Sequence, residues 1–96
     1  MLEPTLWREK SPTIEAMQWD GSYDSQMAIV NWAWMSTGCK YVPISGWCDE
    51  RYFLEIVTPH GPMRADEGDW VVRNTRNEFY PCTPTLFEQI YEPDTN

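Results

Sequence analysis

One stretch of this chain, Ser22 to Thr37, reads as a helix, and its apolar character limits the fold more than any other feature. Ser22 or Asp24 can satisfy the first free N–H groups, and Gly38 can end the helix in a left-handed conformation. The middle, from Met27 to Met35, is apolar on nearly every side. Tyr23, Met27, Val30 and Trp34 share one stripe, while Ile29, Trp32 and Ala33 lie on the other. A small domain rarely buries a helix all round, so one stripe is expected to stay exposed or to meet a partner. The alternative is a helix set deep in the fold, with its Trp rings flat along the flanks.

Around this helix the pattern is that of strands. Thr13 to Trp19 alternates apolar and polar residues between Pro12 and the Asp20-Gly21 turn, which predicts a half-buried strand with Ile14, Ala16 and Trp19 inward. Lys40 to Ser45 is β-like but interrupted by Pro43, which suits an edge. Residues 46 to 50 read as a loop, and Arg51 to Thr58 as a good strand. Pro59-His60-Gly61-Pro62 reads as a turn and Met63 to Ala65 as the return of a hairpin. Trp70 to Asn74 and Glu78 to Cys82 are expected to continue the sheet. Thr83-Pro84 then has the form of a cap and first helical residue, opening one helical turn before a short strand at Ile90 to Glu92. The expected fold is a single α+β domain over residues 1–96, one helix packed on a small, mostly antiparallel, twisted sheet, with 1–11 and 93–96 as mobile tails.

Six Trp, five Tyr and three Phe are more than a core of this size needs. The surplus points to a binding face, because Trp and Tyr concentrate where partners are gripped. The formal charge of −8, with scattered basic residues, argues against nucleic acid and anionic membranes as partners. An acidic mimic of DNA is the lesser reading of the same charge. Cys39, Cys48 and Cys82 are odd in number and have no motif spacing, which fits reduced thiols in a cytosolic protein. The first residues lack the apolar run of a signal peptide, and no segment approaches the ~20 apolar residues of a membrane span.

Catalytic and metal-binding arrangements find little support. His60 is the lone histidine and sits in a turn, with no thiol placed beside it by spacing. Zinc would need four converging ligands, and the usual Cys and His spacings are absent. Asp66, Glu67 and Asp69, like Asp49-Glu50, are read as turn carboxylates that cap N–H groups and face water. Tyr80-Pro81-Cys82-Thr83-Pro84 is read as a strand that must stop rather than as the lip of a site. The expectation is therefore a protein that is no enzyme and takes no cofactor and no metal.

Two motifs in order carry a resemblance. The first is Arg8 to Gly21, containing Ile14-Glu15-Ala16-Met17-Gln18-Trp19-Asp20-Gly21. The second is Gly68-Asp69-Trp70-Val71-Val72 followed by Glu78-Phe79-Tyr80-Pro81-Cys82-Thr83-Pro84 and Phe87-Glu88. Together with Ile29 to Ala33 they resemble a family of small proteins encoded by phages of actinobacteria. The chain departs from the family pattern at Glu67, where Pro is usual, and at Asn74 to Asn77, where a glycine-containing turn is usual; Trp34 is an addition. The resemblance transfers no catalytic residue. It implies a phage protein in the host bacterial cytoplasm and places Trp32 in the core, leaving Trp34, Met27 and Met35 as the expected contact patch for a host protein, with Trp47 as a further aromatic contact. The other reading is a small-molecule binder, a sponge for a signalling nucleotide, using Trp47, Trp70 and Tyr80 for stacking and Arg64, Arg73 and Arg76 for phosphate. A homodimer is compatible with either.

Overall fold

The computed structural model describes residues 3–8 and 13–93. In chain order the elements are β1 (Thr5–Arg8), β2 (Thr13–Gln18), α1 (Tyr23–Ser36), β3 (Ile44–Cys48), β4 (Tyr52–Thr58), β5 (Gly61–Ala65), β6 (Trp70–Arg73), β7 (Phe79–Cys82), α2 (Pro84–Ile90) and β8 (Glu92–Pro93). The fold is α+β, and the strands divide into two antiparallel sheets. One sheet has the order β7-β6-β2-β1-β8 and the other β3-β4-β5.

The larger sheet is covered on both faces, and period-two alternation decides which residue goes where. Met17, Val71 and Phe79 point to one side, where they meet Ile29, Trp32 and Ala33 of α1 and Ile44, Leu54, Ile56 and Ala65 of the smaller sheet. Ile14, Ala16 and Val72 point to the other side, where Phe87 of α2 closes a second core. That core is mostly aromatic. Phe87 stacks on Trp70 at 4.0 Å with the rings 3° from parallel, and Trp7 meets both rings edge-on at 4.8–5.0 Å.

Several sequence expectations need correction. Thr5–Arg8, expected in a mobile tail, is a strand between β2 and β8, held because Trp7 falls opposite Ile14 on the face that packs against α2. Pro93, also assigned to a tail, pairs with Trp7. The rest of the expected tails, residues 1–2, 9–11 and 94–96, and Pro12 of the first motif lie outside the described residues. Residues 46–48, expected as loop, complete β3 in register with Leu54 to Tyr52. Thr83 makes no side-chain cap bond, although Pro84 does open α2.

The β2–α1 turn shows how locally the chain is specified. Ser22 is the cap, its hydroxyl accepting from the Ser25 N–H at 3.1 Å. Asp20 accepts from the Ser22 N–H at 2.8 Å and the Ser25 hydroxyl at 2.7 Å. Gly21 has φ +87, and a Cβ there would also strike the Glu67 side chain; only glycine satisfies both demands. Hydrogen bonds from Ser22, then from Ser25, hold the Asp20 carboxyl down at about 2, from an ordinary 3.8. A depressed folded-state value means that this support is complete above the unfolded value and is lost as pH falls through the folded one. Stability measured by urea unfolding should therefore drop between pH 4 and pH 2 (the window set by those two values). Asp20→Asn should flatten that part of the profile; an unchanged slope would separate Asp20 from acid sensitivity.

Candidate functional site

β3 is an edge strand of the smaller sheet, left open among the described residues. Val57 donates its N–H to the Pro43 carbonyl at 2.8 Å, so 43 and 57 form a hydrogen-bonded pair. By antiparallel alternation Ser45 and Trp47 also bond inward to β4. The N–H and C=O groups of Gly46 and Cys48 therefore point away from the sheet. Both residues are exposed, and among the described residues no main-chain hydrogen bond joins them to a further element. The side-chain amide of Gln26 lies close against Gly46, in the space a Cβ would take.

Beside this edge lies a hollow of about 560 Å³ between the first turn of α1 and the β3–β4 hairpin, lined by Tyr23, Gln26, Gly46, Trp47, Cys48 and Tyr52. Its three aromatic residues are among the most exposed large side chains of the protein: Tyr23 at 70%, Tyr52 at 67% and Trp47 at 54%. Rings this accessible contribute little to the core.

The hollow runs into a cleft of about 880 Å³ that shares Gly21 and Tyr52 with it. Here the β3–β4 turn contributes Asp49, Glu50 and Arg51, and the β5–β6 turn contributes Asp66 and Glu67. Arg64 crosses between the turns, bonding Asp66 at 2.7 Å and Asp49 at 2.9 Å while lying over the Phe53 ring at 4.1 Å. The Asp49 carboxyl is held below the usual carboxylate range, first by the Arg51 N–H and then by Arg64. Four carboxylates thus face two guanidiniums, one of which is already committed to two of the acids.

The residues expected to form the contact patch separate. Trp47 lines the aromatic hollow. Met27 and Met35, both exposed, border a different groove along α1 with Asn31 and Pro4. Trp34, expected to lead the patch, is half-buried and lines neither. Of the two helix stripes, Ile29, Trp32 and Ala33 are buried, while Tyr23 and Met27 are exposed.

Of the residues expected to hold a nucleotide, Tyr80 and Arg76 line one hollow of about 470 Å³, while Trp47, Arg64 and Arg73 lie elsewhere. Trp70 and Tyr80 lie on the α2 face of the larger sheet, and Arg73 lies on the opposite face. One face of Trp70 is taken by Phe87. Arg73 bonds Glu15 at 2.6 Å and Asn77 at 2.6 Å, and Glu15 also accepts from the Trp32 indole. Arg64 belongs to the other sheet and is engaged as described. The Tyr80 phenol is pushed up, first by burial and then by Glu78. Burial, with Asp69, likewise raises the Cys82 thiol, which favours the unreactive protonated form.

Sequence reasoning missed Tyr52 and did not connect Tyr23 with Trp47. Once β3 is extended to Cys48, antiparallel pairing sets Cys48 opposite Tyr52 and leaves both at the open end of the hairpin. That was the available signal. No protein-family model matches the chain, and neither a curated protein nor a solved structure matches it. No helix among the described residues is long and apolar enough to cross a membrane.

Proposed function

We propose that the protein acts without catalysis, by binding a protein of a bacterial host and altering its activity, and that Tyr23, Trp47 and Tyr52 make the contact. The observation that carries this reading is the clustering of three exposed aromatic residues around one hollow, next to main-chain groups that no other element pairs among the described residues. Exposed Trp and Tyr are the residues on which binding energy concentrates, since they bury a large area while fixing few torsions. The carboxylates of the neighbouring cleft supply a charged rim that steers an oppositely charged partner and repels the wrong ones. The likeness of the two sequence motifs to small phage proteins supports a bacterial cytoplasm as the setting.

Trp47→Ala should weaken the captured partner's binding by about 2 kcal/mol, about thirtyfold in Kd. The circular dichroism spectrum should stay unchanged, because the side chain is exposed. Titration calorimetry against that partner measures the effect, and equal affinity for the variant would remove the hollow from the interface.

A further inference from the structure

The open edge, the aromatic hollow and the acidic cleft lie in one continuous tract, and each limits what can occupy it. Gly46 and Cys48 direct unpaired main-chain donors and acceptors outward, so the edge suits an extended segment whose own backbone can complete the ladder. The Gln26 amide lies against Gly46, beside this edge, and can serve the same segment. Tyr23, Trp47 and Tyr52 all line the hollow, and an aromatic ring attracts a guanidinium or ammonium group held over it. Beyond Tyr52 the tract opens on Asp49, Glu50, Asp66 and Glu67, and the whole chain carries −8. A second copy of this chain would bring its own acidic rim against that surface, so charge disfavours self-pairing at this edge.

From these features we infer that the partner is an extended, arginine- or lysine-rich segment that adds as a fourth strand along the free edge of β3, with a cationic side chain in the hollow of Tyr23, Trp47 and Tyr52. Side chains of an added strand alternate in direction, so basic residues two apart reach the same side. One enters the hollow, and the next along the strand approaches the carboxylates of the cleft. This inference rests on the reading of the protein as a binder and specifies the chemistry of what is bound.

The test uses dye-labelled, capped ten-residue peptides and fluorescence polarisation with the full-length chain. A peptide of alternating Arg and Thr should bind, while alternating Glu and Thr should not. Affinity should fall as salt rises. Two further peptides carry N-methyl groups on either all Arg or all Thr residues. One of them should bind at least tenfold more weakly and the other should keep its affinity, since only every second N–H faces β3. Trp47→Ala and Tyr52→Ala should each weaken the Arg–Thr peptide at least tenfold, with an unchanged circular dichroism spectrum.

Failure of the Arg–Thr peptide to bind overturns the inference. So does binding that ignores both N-methylation and the two aromatic substitutions, which would be charge attraction without a site. A dimer of the chain alone that Trp47→Ala dissolves would assign the edge to a second copy and overturn it as well. None of these results touches the binder reading, which stands or falls separately on capture of a host protein dependent on Trp47.

Discussion

Phe87→Ala should remove about 3–5 kcal/mol of stability, as expected for truncating a buried aromatic residue. Phe87 is completely buried and sits at the centre of the second core, touching Trp7, Trp70 and Tyr91. α2 has only seven residues, too few to hold together as an isolated helix. It stays folded because this one ring anchors it to the sheet. The same ring braces Trp7, and through it β1, which otherwise joins the fold by short ladders to β2 and β8. A domain of this size has about 5–15 kcal/mol in total, so the loss is a large share of its stability and should lower the unfolding midpoint markedly. Urea unfolding monitored by Trp fluorescence measures the loss. A loss below about 1 kcal/mol would mean that the aromatic cluster is not a core.

A loss of comparable size is expected for Trp19→Ala, about 3–5 kcal/mol, but for a different reason. Trp19 is 1% exposed and belongs to the first core. Its main chain ties the end of β2 to the β5–β6 turn: the N–H donates to the Asp69 carbonyl at 3.0 Å, and the carbonyl accepts from Gly68 at 2.7 Å. The indole N–H donates to the Ser22 carbonyl, which helps fix the start of α1. Truncation opens a cavity at the junction of both sheets and the helix. Trp19→Phe should cost only about 1 kcal/mol more than the lost ring volume, because the indole hydrogen bond is all the polar contact it removes. Equal losses in the two variants would show that the hydrogen bond, and not the packing, carries the residue's contribution.

The fold was largely legible where pattern and local chemistry agree. The alternation of Thr13 to Gln18, the Ser22 cap and the left-handed Gly38 all point to the same β2–α1 unit, and the structure has it. The turn at Asn74 to Asn77 is also explained: Asn77 takes φ 63, a conformation that asparagine tolerates better than most residues. Thr5–Arg8 was not legible because its pairing depends on Trp7 meeting Phe87, eighty residues away in the chain. The end of β3 was obscured because Gly46 reads as a turn residue, whereas it pairs with Leu54 inside the ladder, with the Gln26 amide packed against it. This error mattered for the site, since hiding the strand hid the pairing of Cys48 with Tyr52, which brings Tyr52 to the rim of the hollow that Trp47 also lines. Parity separates two of the residues considered for a nucleotide: Trp70 and Arg73 are three residues apart in a strand and so face opposite ways.

The central claim, that this chain is a binder working through the rings beside β3, is tested most directly by affinity capture. The tagged protein and its Tyr23→Ala/Trp47→Ala/Tyr52→Ala variant are incubated with bacterial host lysate, and retained proteins are identified by mass spectrometry. The account predicts one host protein enriched by the wild type and absent from the variant, with both baits equally folded. Retention of the same protein by both baits, or of none by a well-folded wild type, would contradict it.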